Sequence, residues 1–233
     1  MIIIKKIIKI LKYQYFYKFY QKKIAANSNF NKIDGITYRK YKFNEYNSYL
    51  KHQSFKFFFY KEALLSIFNK NVSSFLNNFK KIKIEKNSYI LCLGARTGAE
   101  VKAFRKLGFF SIGIDLAYPK NSPYVIYGDF HNLDFPEKSF DLIYSNTLDN
   151  VYNHEKFVKE ILRVLKKNGK ILFDIQKGIN ENNENNKIAI GQFETCGWDH
   201  SDEIIQKILN FKIKLIHKRN LNHNYIQVMF KKS

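Results

Sequence analysis

Tyr89-Ile90-Leu91-Cys92-Leu93-Gly94-Ala95-Arg96-Thr97-Gly98 is followed, one short helix later, by Ser111-Ile112-Gly113-Ile114-Asp115. The first run is apolar enough for a buried strand, and it empties into a turn of small residues. The second apolar run ends in a carboxylate. A helix between the two gives a strand–turn–helix–strand unit with an acid about 20 residues beyond the first glycine. Such a unit holds a nucleotide-like ligand: backbone amides approach it at the turn, and the carboxylate accepts from ribose hydroxyls. Arg96 stands where a middle glycine is expected.

Downstream of this unit, alternation of strand and helix continues. The patterns predict a helix near 97–107, a short strand near 124–127, a strand over 140–145 and a helix over 154–166 stopped by Asn168-Gly169. A strand over 170–175, a polar Asn-rich loop over 178–190, a helix over 201–209 and a hairpin of strands 211–218 and 225–231 complete the pattern. This alternation argues for an α/β fold, a mostly parallel sheet with helices on both faces. Upstream, residues 25–50 read as loop, and the aromatic and leucine spacing from Phe55 to Phe79 reads as a helix over 55–82 that lids or flanks the sheet.

At 233 residues, with 45% hydrophobic and 17% aromatic content, the chain suits one ordinary domain with an extension. We divide it into a basic amphipathic extension, 1–54, and a domain, 55–233. The formal net charge is +20. Arg39, Arg96, Arg105, Arg163 and Arg219 are the only arginines; the rest of the 40 cations are lysines. The charge reads equally as a surface for nucleic acid or membrane and as a chain-wide bias towards Lys, Asn and Ile. Residues 1–24 carry no acid. Ile3, Ile4, Ile7, Ile8 and Leu11 fall on one helical face, with Lys5, Lys6, Lys9 and Lys12 mostly on the other. Three readings stand for this segment: a helix on an anionic membrane surface, an organelle-targeting peptide, or a basic helix packed on the domain. Two distant cysteines, Cys92 and Cys196, form no disulfide framework or zinc pattern, so a reducing, intracellular setting, cytoplasmic or organellar, is expected.

Four loops gather at the carboxyl ends of the predicted strands, where open α/β sheets bind ligands. They are Gly94-Ala95-Arg96-Thr97-Gly98, Asp115-Leu116, Gly128-Asp129-Phe130 and Ser145-Asn146-Thr147. Each alone has a structural explanation, as a βα turn, a helix cap or a turn acid. Their order and spacing together are more specific.

On these residues the chain resembles the class I S-adenosylmethionine-dependent methyltransferases, in particular the small-molecule type 11 branch. The resemblance runs from the first motif, Ile90 to Gly98, through Gly113-Ile114-Asp115-Leu116 and Gly128-Asp129-Phe130 with Leu133, Phe135 and Pro136, to Phe140–Asn146. It ends at Glu160-Ile161-Leu162-Arg163-Val164-Leu165-Lys166-Lys167-Asn168-Gly169-Lys170, and covers roughly 85–231. The Gly-Ala-Arg first motif is most like a plant-type subgroup. The resemblance implies a Rossmann-like sheet of seven strands with the last antiparallel, and S-adenosylmethionine as cofactor. By the same resemblance Gly94, Ala95, Arg96 and Gly98 line the cofactor's methionine end and Asp115 with Leu116 holds its ribose. Asp129 takes the adenine amino group, Phe130 backs the ring, and Ser145 and Asn146 lie near the sulfonium and face the acceptor.

Two positions depart from that family. Cys92 replaces an acid that organises the cofactor's amino-acid end. Arg96 replaces a glycine, and it either points outward, pairs with the cofactor's carboxylate, or grips an anionic acceptor in bidentate fashion. His131, Tyr152 and His154 are the candidates for a general base. Asp149-Asn150 resembles metal-dependent catechol-type enzymes, but Asp174-Ile175-Gln176 does not supply their second acid–Asn pair, so no metal is expected. The runs that methylate adenine, glutamine or arginine are absent. A small-molecule acceptor is the first expectation, RNA or protein the second, and a degenerate fold used for binding or assembly the non-enzymatic alternative. A redox Rossmann protein would want a third glycine in register, which Gly98-Ala99-Glu100-Val101 does not offer.

Overall fold

The computed structural model describes residue 19 and residues 28–41, 45–181 and 194–232. Apart from Phe19, the amphipathic segment expected at 1–24 lies outside the described residues, as does most of the loop expected at 178–190.

The stretch expected as loop over 25–50 is a hairpin and the start of a helix. Strand β1 (Ser28–Ile33) pairs antiparallel with β2 (Ile36–Tyr41), with Ile33 opposite Ile36. The two residues between them, Asp34 and Gly35, sit at φ 49 and 78. Two left-handed residues in a two-residue loop match the twist of the flanking strands. Helix α1 (Glu45–Ser66) and helix α2 (Phe68–Phe79) replace the single helix expected over 55–82. The division drawn between residues 54 and 55 therefore falls within α1.

From there the sequence pattern and the structure agree closely. Strand β3 (Tyr89–Leu93) leads through the glycine turn to α3 (Ala99–Lys106), then to β4 (Phe110–Asp115), β5 (Val125–Tyr127) and β6 (Phe140–Ser145). Helix α4 (His154–Val164) runs directly into β7 (Leu165–Gln176). The helix ends earlier than expected: Leu165 is already extended and pairs with Phe140, while Lys170 pairs with Leu142. Asn168, at φ 64, and Gly169 make the kink inside this strand instead of stopping the helix. A short strand β8 (Cys196–Trp198), α5 (Ser201–Leu209), β9 (Ile213–Asn220) and β10 (Tyr225–Lys232) close the described chain.

The seven strands of the main sheet lie in the order β5-β4-β3-β6-β7-β10-β9. The β3, β4, β5, β6 and β7 neighbours pair parallel, whereas β10 runs antiparallel to both β7 and β9. Both faces are covered, so the inner strands are apolar on both sides. Leu91 and Leu93 join one cluster with Phe157, Ile161 and Ile204 from α4 and α5. Ile90 and Cys92 join the other with Phe79 and Phe104 from α2 and α3. There Phe79 stacks on Phe104 with ring centroids 3.9 Å apart. A second, three-stranded sheet, β1-β2-β8, sets the hairpin beside the main domain: Ile36 pairs with Trp198 and Tyr38 with Cys196. Helix α1 packs against β2 and carries its buried face over the carboxyl ends of the parallel strands. Among the described residues no helix is long and apolar enough to cross a membrane.

Candidate functional site

The turn after β3 is built for close approach. Gly94 lies at φ 68, and a Cβ there would stand 2.6 Å from Thr147 Oγ1. Gly98, at φ 78, precedes α3 and donates its amide to Ala95 O at 2.6 Å. The first amides of α3 face out from the helix with no intrahelical acceptor, as at any helix start. Arg96 adopts φ 43, a left-handed conformation that costs a non-glycine residue about 1 kcal/mol or more. What holds it there is visible: its backbone N–H donates to Asp115 Oδ2 at 2.9 Å.

Asp115 closes β4 beside this turn. Its other oxygen, Oδ1, accepts from Ala117 N at 2.9 Å. Each oxygen keeps a further lone pair, so the carboxylate can still accept two hydroxyls. Burial raises its pKa; the charges of Arg96 and Lys56 and the two amides oppose that rise. Leu116 follows, half-buried.

The acid of the third loop is already engaged. Asp129 Oδ1 accepts from His131 N at 2.8 Å and from His131 Nδ1 at 3.0 Å, while Oδ2 accepts from the Tyr46 hydroxyl of α1. Burial works to raise its pKa, but the bonds from His131 and Tyr46 outweigh burial and hold the carboxyl below its usual range. Tyr46, Tyr49, His131 and Tyr152 form a ring cluster around it, with centroids 5.3–6.4 Å apart. Phe130 is not an open ring face. It is buried in the core and meets Phe157 edge-on at 5.2 Å.

The fourth loop also differs from expectation. Ser145 is completely buried; its Oγ donates to Leu93 O at 3.1 Å and lies 3.0 Å from Thr147 Oγ1. It ties the ends of β6 and β3 together and does not face an acceptor. Asn146 is half-buried, without a hydrogen bond among the described residues. The residue that abuts Gly94 is Thr147.

Each of the three candidate bases makes at least one hydrogen bond. His131 is buried, and its Nε2 accepts from Asn153 N at 3.2 Å, which leaves Nδ1 carrying the proton towards Asp129. Tyr152 donates to Glu45 Oε2 at 2.7 Å, and burial with that bond pushes its pKa up to about 12. His154 is buried among Leu148 O, Cys196 and Tyr38, and burial pushes its pKa down to about 3. His131 and Tyr152 are held in hydrogen bonds, and although His154 Nδ1 has no partner among the described residues, burial disfavours its protonation. Among the described residues no cluster of His, Cys, Asp or Glu is positioned to hold a metal ion.

Several site residues carried no motif signal. Lys56 reaches in from α1 and donates to Asn150 Oδ1 at 2.8 Å; it is only 7% exposed. Its position on a face shared with Tyr49 and His52, two turns and one turn earlier, was the available clue. Tyr46 had the same helical spacing. Glu100 lies buried near Cys92, and burial, with Asp115 nearby, raises its pKa to about 8. The Cys92 thiol is pushed up by its own burial and by Glu100.

Residues 91–173 match the family model described as a methyltransferase domain. A search of the curated proteins finds no match. Among solved structures, the chain is similar to the Burkholderia thailandensis 1,6-didemethyltoxoflavin-N1-methyltransferase bound to 1,6-didemethyltoxoflavin and S-adenosylhomocysteine. That similarity has 11% identity and a TM-score of 0.60, and covers 88% of this chain and 99% of the other. A SAM-dependent methyltransferase of Thermotoga maritima gives 18% identity and a TM-score of 0.58, over 76% of this chain and 97% of the other. Another from Aquifex aeolicus gives 16% and 0.53, over 66% and 87%. The strand order, the antiparallel last strand and these likenesses together identify the fold of this chain as the Rossmann-like methyltransferase fold.

Proposed function

We propose that this protein is an S-adenosylmethionine-dependent methyltransferase acting on a small molecule. The observation that carries the reading is the Asp115 carboxylate, fixed by the Arg96 and Ala117 amides directly beside the Gly94–Gly98 turn, with lone pairs left over. The residues present fit the cofactor. The turn is bare backbone packed against its neighbours, since a side chain on Gly94 would strike Thr147 and one on Gly98 would strike Tyr124 and Val125. Asp115 would hold the ribose hydroxyls, and the amides at the start of α3 would meet the methionine carboxylate. Asp129, held ionised, would accept the adenine amino group in place of the Tyr46 hydroxyl.

When bound, S-adenosylmethionine supplies an electrophilic methyl group. The chain's own work is alignment, holding the acceptor in line with that group and keeping water out. Helix α1 provides the barrier to water, since the half-buried Tyr46 and the buried Tyr49 and Lys56 lie over the loops after β5 and β6. With His131 and Tyr152 bonded and His154 held neutral by burial, an acceptor that brings its own nucleophilic lone pair suits the site better than one needing a base.

The subgroup likeness rests on Gly94-Ala95-Arg96 alone, and an anionic surface partner and a membrane-associated location rest on the basic residues before Asp34. A non-enzymatic reading is favoured by one observation, the Tyr46 hydroxyl seated on Asp129. Calorimetry with S-adenosylmethionine and S-adenosylhomocysteine decides between them. Binding of both, followed by methyl transfer to a small-molecule panel, supports the enzyme. Absence of heat and of thermal shift at millimolar cofactor removes it.

A further inference from the structure

Two cations reach the loops after β3 and β6 from different elements. Lys56 descends from α1, and its ammonium is buried with one bond, to the neutral Asn150 Oδ1 at 2.8 Å. An ammonium has three donors, so two are unspent on the described partners. Arg96 rises from the glycine turn. Its guanidinium makes no hydrogen bond or ion pair among the described residues, yet its charge is felt at Lys56, Asp115 and Asp149.

Such an arrangement is costly as it stands. Burial and the neighbouring Arg96 both press the Lys56 pKa down, with Asp149, Glu194 and Asp115 offsetting them. A buried charge is normally matched by a partner in contact. Here no carboxylate lies within 4.0 Å of either cation among the described residues. Asp115 is turned to the amides of Arg96 and Ala117, and Asp149 Oδ1 accepts from Asn150 Nδ2 at 2.9 Å. An anion seated between Lys56 and Arg96 would satisfy both at once.

Position separates this pocket from the ribose acid. In the sheet order β4-β3-β6, Asp115 ends β4, while Asn150, the anchor of Lys56, follows β6 on the far side of β3. Arg96 stands on the β3 turn between them.

We propose that Lys56 and Arg96 form an anion subsite for the methyl acceptor, so that the small molecule carries a carboxylate or a phosphate gripped between the two cations. The proposal rests on the methyltransferase reading of the same cleft. Arg96 presents the planar fork that pairs with either anion in bidentate fashion, and Lys56 presents a point charge from the lid. Closing α1 over a bound acceptor and neutralising Lys56 are then the same event.

The test titrates the full chain, saturated with S-adenosylhomocysteine, with inorganic phosphate and separately with benzoate, read by thermal shift and calorimetry. One of the two anions is expected to bind, and the one that does identifies the headgroup. Lys56→Met and Arg96→Gln should each weaken that anion about tenfold, the loss expected for a charge-assisted hydrogen bond. Arg96→Lys, which keeps the charge, should retain part of it. In Lys56→Met, S-adenosylhomocysteine affinity should change less than about threefold, well under one such bond. No response to either anion overturns the proposal. So does a tenfold loss of S-adenosylhomocysteine with anion binding intact, which would assign the pair to the cofactor's own carboxylate. The same titrations without cofactor distinguish the failures: anion binding that depends on Lys56 and Arg96 upholds the subsite even where S-adenosylhomocysteine does not bind and the methyltransferase reading falls.

Discussion

The hydroxyl of Tyr46 donates to Asp129 Oδ2, joining a helix at the amino end of the domain to the acid of the loop after β5. The bond places one side chain of the covering helix on the oxygen that an adenine amino group would use. On the proposed reading, cover and cofactor would compete for a single acceptor.

Tyr46→Phe removes the competitor and keeps the ring in its cluster. S-adenosylhomocysteine should bind more tightly, by up to about tenfold, because a bond to a charged acceptor worth about 1.5 kcal/mol no longer has to be broken. The free chain should melt at a lower temperature. Calorimetry and a melting curve on the same variant check both directions; unchanged affinity would show that Asp129 takes no part in binding.

Asp115→Ala should abolish detectable binding of S-adenosylhomocysteine. It also strands the amides of Arg96 and Ala117, so stability should fall by about 1–3 kcal/mol in urea unfolding. Asp115→Asn retains one acceptor for an amide and should recover part of the stability while still binding poorly. An Asp115→Ala chain that binds normally would place the ribose elsewhere.

Glu100 makes stability depend on pH. Its usual pKa of 4.5 rises to about 8 in the fold, first through burial and then through Asp115 and Asp174. Between those values the unfolded chain ionises the group while the folded chain holds its proton. The folded state thus binds more protons, and its stability falls as pH increases. The contribution is whole below pH 4.5 and lost above about 8. Glu100→Gln should flatten this slope and raise the melting temperature at pH 8.5 relative to the parent. Identical slopes for the two chains would refute it.

Gly94→Ala should destabilise the domain by about 1–3 kcal/mol, through the left-handed φ and the overlap with Thr147 Oγ1. Adding Thr147→Ala relieves the overlap and leaves the φ penalty, so the double variant should recover only part of the loss. Full recovery in chemical denaturation would show that backbone strain contributes nothing.

The parallel core was legible because its signals are local. Tyr89–Leu93 and Phe140–Ser145 are apolar runs bounded by turns, and both strands begin and end where the sequence places them. The Asp115 carboxylate beside the turn followed from spacing. Ser145 and Phe130 were misread because a motif position does not say which way a side chain points: the first ties two strand ends and the second fills the core. The hairpin at 28–41 was missed under its Asn and Lys content, although Asp34-Gly35 between Ile33 and Ile36 is a hairpin signal. Its third strand, Cys196–Trp198, is distant in sequence and too short to announce itself. Lys56 and Tyr46 belong to the site only because α1 folds back over loops some 80 to 95 residues ahead, a tertiary fact whose one local trace is their helical spacing with Tyr49 and His52.

The small sheet β1-β2-β8 sets an order on biosynthesis. Arg39 in β2 donates its backbone N–H to Thr195 O at 2.8 Å and its Nε to Glu194 O, across 155 residues of chain. At ordinary translation speed that segment takes on the order of ten seconds to appear. Throughout that interval β2 has an open edge, the kind that recruits foreign strands. In the hairpin, Lys40 on β2 and Lys32 on the neighbouring β1 put charge near that edge from the start. A ribosome that stalls before Cys196 would therefore present this edge to its neighbours, and a variant stripped of those lysines should betray itself first as inclusion bodies, before any loss in the finished protein.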